Sequence, residues 1–377
     1  MQTAPIHGES PDELIIALRA VSLDSPTLGI IFSSVFMDIP AISRMLETVP
    51  YPVAGCSSSG EILSTRSSGP VSELSATGCL MDPGTDSFRV SLFDRNGKDS
   101  YRFGEEIGAW GREQFPDPAF ILLLSGLSTD GEAVIGGIAS VFTVHPLIYG
   151  GMAGDDTSFE QTYVFTNGRY STDGAVMIAF DRRTMNVEGM ITSGWRGIGG
   201  EWRVTRAEGN TVYTLNDQPA LDVYKRYLNL RDEDIPRLSI DFPLILRRAD
   251  HSVVIRVPTR IDPVEHALVF NGSVPEGSVV TFSSSAGEEI ITTSVGEITS
   301  HADRIRSADL KLLFSCAARY QAVGRRIGKE IMAAADIGDA PLVGFFSYGE
   351  IGNTETGRCE FHNETFTLVM LTQRREP

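Results

Sequence analysis

The chain has 377 residues, 42% hydrophobic, 21% charged and 8% aromatic, an ordinary globular composition that excludes disorder, collagen and low-complexity readings. A formal charge of −17 opposes phosphate backbones and anionic bilayers, so neither nucleic acid nor membrane is expected as a partner. Cys56, Cys79, Cys316 and Cys359 form no CxxC pair, which removes zinc ribbons, redox dithiols and disulfide scaffolds and favours a reducing compartment.

The opening MQTAPIHGESPDEL lacks the basic and apolar regions of a signal peptide. No apolar run reaches the ~18–20 residues of a membrane span, so a cytoplasmic protein is expected. Ser10-Pro11-Asp12-Glu13 predicts a helix start, with Ser10 as cap and Glu13 completing a capping box. Leu14, Ile15, Leu18 and Val21 then share one face. Leu28 to Phe32 reads as a short buried strand ending in serines. Ile42, Met45, Leu46 and Val49 mark a helix, and Tyr51-Pro52-Val53-Ala54 leads into GCSSSGEI.

The same unit recurs twice. AFILLLS (119–125) precedes a helix with Val134, Ile135, Ile138 and Phe142, then a strand into GGMAGDD. LKLLFSC (310–316) precedes a helix with Tyr320, Val323, Ile327 and Ile331, then Pro341-Leu342-Val343 into GFFSYGEI. Each copy ends in a glycine-bracketed turn that closes on Asp or Glu. Such spacing is too wide and irregular for a solenoid. SFRVSLF, QTYVFTNGRYSTDGAVMIAF and CEFHNETFTLVML read as antiparallel hairpins, with Asn167-Gly168 as a turn. The expected fold is therefore mixed α/β (α+β): two domains, residues 1–195 and 196–377, built from repeated strand–helix–strand units with antiparallel hairpins. The boundary falls in the glycine-rich GWRGIGG.

The repeat turns hold the candidate chemistry, because strand ends of open α/β sheets are where ligands bind. Cys56 and Ser57 bring a thiol and a hydroxyl to the first turn, whose serines could equally satisfy local backbone. Asp155 and Asp156 could hold an ammonium group or a divalent cation, or cap a turn. Arg319 could grip a carboxylate in a bidentate fork, or pair with Glu350 beside Tyr348. In Phe361–Thr365, strand alternation would set His362 and Glu364 on one face and Asn363 and Thr365 on the other. No Walker loop, dinucleotide fingerprint or nucleophile elbow is present, so a non-enzymatic role is expected.

With these turns in place, the chain resembles the FIST sensory family, built from FIST N-terminal and C-terminal domains. GCSSSGEI and GGMAGDD look like the N-domain hallmarks, WRVTRAEGNTVYTLNDQPALDVYKRYL the join, and VFNGSVPEGSVV, LLFSCAAR, GFFSYGEIG and FHNETFTL the C-domain in order. Gly197 departs from the proline expected there. The resemblance implies a signalling input protein that binds a small ligand, such as an amino acid or related metabolite, and acts on a separate output protein. The matching motifs carry over Cys56, Ser57, Asp155, Asp156, Arg319, Tyr348, Glu350 and Asn363 as ligand-site residues. A haem-based nitric-oxide sensor, with His145 or His362 as haem ligand and a histidine kinase or cyclic-di-GMP enzyme as partner, is the alternative. A Cys56-dependent hydrolase is a second alternative.

Overall fold

The computed structural model describes residues 1–23, 27–65, 69–84, 86–229, 242–247, 253–284, 287–354 and 357–374. Among them the repeat units are complete three times, and each is longer than the sequence pattern shows. Every unit runs strand, helix, strand, helix, strand, hairpin, strand. In the first, Thr3–Gly8, Pro11–Ala20, Leu28–Ser33, Ile39–Met45 and Val53–Ser57 lead to the hairpin Glu61–Leu63/Val71–Ser72 and the return strand Ala76–Met81. The second unit starts with Phe88–Asp94 and Ser100–Gln114 and returns on Gly174–Asp181. The third starts at Met185–Thr192 and returns on Phe366–Gln373.

Each unit keeps six parts of the plan in its own surroundings and gives its hairpin away. The central strands pair in parallel, Leu28–Ser33 with Val53–Ser57, Pro118–Leu124 with Leu147–Met152, and Leu310–Cys316 with Leu342–Ser347. The first unit's hairpin then joins the third unit's sheet through Glu61–Leu63 against Val343–Phe345. The third unit's hairpin joins the second sheet, with Glu350 and Ile351 against Gly151 and Gly150. The second unit's hairpin, turning at Asn167-Gly168, joins the first sheet at Gly55 and Cys56. The exchange is cyclic and closes after three steps.

A ring of backbone hydrogen bonds marks the centre of this exchange. Ser59 N donates to Phe346 O at 3.0 Å, Tyr348 N to Met152 O at 3.0 Å, and Gly154 N to Ser57 O at 3.1 Å. These bonds align Gly55, Gly150 and Gly344 as equivalents. Each faces the carbonyl oxygen of its parallel neighbour, Ile31, Leu122 and Leu313, where a β-carbon would collide with it. The leading glycine of each turn is thus required by close backbone approach.

The three sheets turn their inner faces onto one core, in which Phe32, Phe314 and Phe345 pack with ring centroids 4.7–6.3 Å apart. Helices cover the outer faces. Leu14, Ile15 and Leu18 are buried as their spacing predicts, and Ser10 Oγ accepts from Glu13 N. Glu13 closes its side of the cap on Glu9 N rather than on Ser10. Lys311, mid-strand in LKLLFSC, is buried and donates to the carbonyls of Ala334, Ala335 and Ile337 at the end of the helix Ile327–Ala335. Burial lowers its pKa to about 8.

Between Met185–Thr192 and the helix Gly287–Ser300 the third unit carries an insertion. The described residues between 196 and 284 form an eight-stranded antiparallel sheet with a core of its own. GWRGIGG is the start of its longest strand, Arg196–Glu208, with a register shift between Ile198 and Glu201. Two hairpin expectations are corrected. SFRVSLF is the opening strand of the second unit and pairs with the distant Gly174–Asp181. Cys359–His362 and Phe366–Gln373 lie in different sheets, because Glu364 takes a positive φ of 57° and turns the chain between them. The alternation expected through Phe361–Thr365 therefore breaks after His362. Among the described residues no helix is long and apolar enough to cross a membrane.

Candidate functional site

The sequence candidates fall into two groups. Around the backbone ring, Cys56 is wholly buried in the core, and burial pushes its thiol well above its ordinary pKa. Nucleophilic activation needs the opposite shift. Ser57 Oγ donates to Gly154 O at 2.6 Å and accepts from Tyr163 N at 2.8 Å. Asp155 accepts from the amides of Phe159, Glu160 and Gln161 and from the Tyr348 hydroxyl. Asp156 accepts from Ser34 Oγ at 2.8 Å and Val35 N at 2.9 Å. Burial, more than any neighbour, raises its pKa.

The second group surrounds the turn 363–365. Glu350 accepts from Ser347 Oγ at 2.7 Å and from Thr365 Oγ1 at 2.9 Å and N at 3.2 Å. Burial raises its pKa to about 8. Glu61, its equivalent in the first unit, is held the same way by Ser58 and Ser75 and rises to about 7, again chiefly through burial. Asn363 is buried beside His362. Arg319 is wholly buried, but its partner is Glu330, not Glu350. The guanidinium forks onto that carboxylate at 2.9 and 2.7 Å and donates to Ser193 O. His145 stands exposed on the loop before Leu147–Met152.

Next to this second group lies a cavity of about 650 Å³ at the seam between the core and the insertion. One wall comes from two strands of different sheets, Leu147–Met152 and Met185–Thr192, contributing Leu147, Tyr149 and Gly189 to Ser193. Val253 and Ile255 come from the edge strand Val253–Arg256 of the inserted sheet, and Asn353, His362 and Thr365 from the third unit's hairpin and turn. Glu297 at the end of the helix Gly287–Ser300, His301 at the cap that follows, and Arg304 in the next helix, Ala302–Arg306, close the remaining side. Of the ten sequence candidates, His362 alone lines this cavity. Arg319 and Glu350 stand one layer behind, fixing Ser193 and Thr365.

The lining combines apolar side chains with both signs of charge. Arg304 reaches Glu188 at 3.1 Å and Gly189 O at 3.3 Å. Glu188 is held below its ordinary pKa, first by Asn186 and then by Arg304. His301 directs Nδ1 to Glu297 O at 2.9 Å. In neutral imidazole that bond leaves Nε2 as an acceptor. Thr192 is 3% exposed, and its hydroxyl has no partner among the described residues. Asn353 has its amide fully engaged by Ile148 N, Pro146 O and Gly357 O.

Several hydrogen bonds hold the seam, among them Asn271 Nδ2 to Tyr348 O at 3.2 Å and Ser273 N to Glu132 at 2.7 Å, with one buried arginine at their centre. Arg256 donates to Ser273 O in the insertion, to Phe361 O beside His362, and to Glu132 at 3.3 Å on the second unit's helix Gly131–Ser140. A sequence reading had one usable signal for this cavity. Glu297, His301 and Arg304 recur at helical spacing, which in a continuous helix puts three polar groups on one face. Nothing local marks Thr192 or Ile255.

The model of the FIST N domain matches residues 27–218, and that of the FIST C domain matches residues 220–353. The chain belongs to the FIST family. A search of curated proteins finds no match. In this FIST protein the junction of the two matches falls at Pro219, within the short strand Gln218–Pro219 of the inserted sheet and just before the helix Ala220–Leu228. Both family segments therefore supply strands to that sheet and to the three-unit core. FIST domains are sensory domains of signal transduction.

Proposed function

We propose that this FIST protein is a small-ligand sensor whose ligand, an amino acid or related metabolite, occupies the seam cavity and is read out by a separate partner. The observation that carries this reading is the cavity itself: it is large enough for a metabolite and has on its wall the buried Thr192 hydroxyl, which has no partner among the described residues. Arg304 suits a carboxylate and Glu297 an ammonium group, so a zwitterion would meet complementary charge at both ends. The walls come from the core and the insertion, so occupancy can bias how the two sit together. A histidine kinase or cyclic-di-GMP enzyme is the output partner in this reading.

Thermal shift against a panel of amino acids tests it. A ligand at a hundred times its Kd should stabilise the protein by about 2.7 kcal/mol. Thr192→Val and Arg304→Ala should each reduce that shift, and Ile255→Trp, which fills the cavity, should abolish it while the protein remains folded. A shift that survives Ile255→Trp would place the ligand elsewhere.

His362 on the cavity wall is what favours the haem-sensor reading. Its imidazole could supply an axial ligand, whereas exposed His145 lies outside the cavity, and the charged lining is a poor match to a porphyrin face. Saturable haem uptake with a Soret band lost in His362→Ala would support that reading; a flat spectrum would end it.

A further inference from the structure

The end of the core where the three turns meet carries four large apolar side chains in solvent. Phe36 is 68% exposed, Leu74 57%, Leu127 43% and Phe159 65%. Their loops are tied together. Ser34 N donates to Ser75 O at 2.9 Å, Val35 N donates to Asp156, and Gly126 N donates to Thr162 Oγ1 at 2.8 Å. Phe159 lies flat on Tyr348, with ring centroids 5.1 Å apart and planes 11° from parallel, and the Tyr348 hydroxyl is bonded to Asp155. The four side chains thus crown a single hydrogen-bonded cluster.

The backbone beneath them is strained. Leu74 has φ 57° and Phe159 φ 54°, with Asp38, Asp156 and Thr157 also between 46° and 62°. Glycine, or asparagine to a lesser degree, suits such positions, and bulky residues do not. At Leu74 the isolated chain therefore bears an unfavourable backbone and an apolar side chain in water together. Burial against another surface offsets both.

Charge narrows what that surface can be. Exposed Asp38, Glu73, Asp130 and Glu160 rim the crown, with half-buried Asp156 among them. Arg325 stands at one edge, near Tyr320, whose pKa is raised by burial and by Glu73 against the opposing pull of that cation. A second copy of the chain would set acid against acid, and an anionic bilayer would be repelled. We propose that this crown is a docking surface for a basic amphipathic segment of a partner protein. The apolar face of that segment covers Phe36, Leu74, Leu127 and Phe159, and its lysines and arginines meet the acidic rim.

The cavity plays no part in this argument, so the two tests fail separately. A fluorescent ~18-residue Lys/Leu helix-forming peptide, long enough to present two apolar turns, is titrated by anisotropy at physiological salt. The protein should bind it saturably, and Leu74→Gly should weaken binding about tenfold, the effect of losing one buried leucine. Leu74→Gly should melt no lower than the unmodified protein, because glycine accepts the positive φ. The Leu74→Gly/Phe159→Asn double variant should lose binding further. Equal affinity for the unmodified protein and the double variant would overturn the proposal, as would absence of saturable binding. So would sedimentation showing a dimer that the double variant dissolves, since the occupant would then be a second copy.

Discussion

Replacing Arg319 separates a ligand role from a structural one. The Arg319–Glu330 pair has both side chains at 0% exposure and two parallel hydrogen bonds at 2.9 and 2.7 Å. Arg319→Met keeps most of the volume and strands the Glu330 carboxylate in the core. Breaking a buried pair on one side costs about 3–5 kcal/mol. An unfolding entropy of about 2.1 cal/mol/K per residue over 377 residues turns that into a fall in melting temperature of about 4–6 °C. The double variant Arg319→Met/Glu330→Met removes both charges and should recover most of the loss, because replacing a whole buried pair with apolar groups is often neutral. Denaturant unfolding of the four proteins completes the cycle. A loss under ~1 kcal/mol for Arg319→Met, the range of an exposed pair, would refute this reasoning, as would a double variant no more stable than the sum of the singles.

Glu350 makes stability fall as pH rises. Burial lifts its pKa from 4.5 to about 8, so the folded chain holds a proton that the unfolded chain has released. Its contribution is full below the ordinary carboxyl pKa and is lost as pH climbs through about 8. Glu350→Gln should flatten the stability profile between the ordinary carboxyl pKa of 4.5 and about 8 and leave the variant the more stable at the alkaline end, by a few kcal/mol as an order of magnitude; an unchanged slope would show that the carboxyl titrates normally. Gly344→Ala drives a methyl group into the Leu313 carbonyl and should cost about 1–3 kcal/mol, measured by denaturant unfolding. A neutral result would mean that the parallel strands can separate there.

The strand–helix–strand copies were legible because each is a local pattern. Apolar runs ending in serine or cysteine, helical stripes and glycine-bracketed turns depend only on neighbouring residues. The hairpin at Asn167-Gly168 was legible for the same reason, since a two-residue turn is written in adjacent positions. Thr3–Gly8 was not. It is short, and only pairing with Ala76–Met81 makes it a strand. The site was less legible than the fold. Arg319 follows the third copy's strand end, which suggested a carboxylate nearby, but its partner was chosen by helix packing eleven residues along the chain.

By itself the sequence determined the α/β class, the three repeated turns and the glycines that let their parallel strands approach. Periodicity records which face of an element is buried and carries that far. It does not record which sheet a strand joins, because any sheet edge offers the same backbone donors and acceptors. Tertiary structure therefore decided the cyclic exchange of hairpins, the separate sheet formed by the described residues between 196 and 284 and the meeting of Thr192, Ile255, Arg304 and His362 around one cavity. Those four residues lie on separate segments with no shared local signal, and long-range packing alone brings them together.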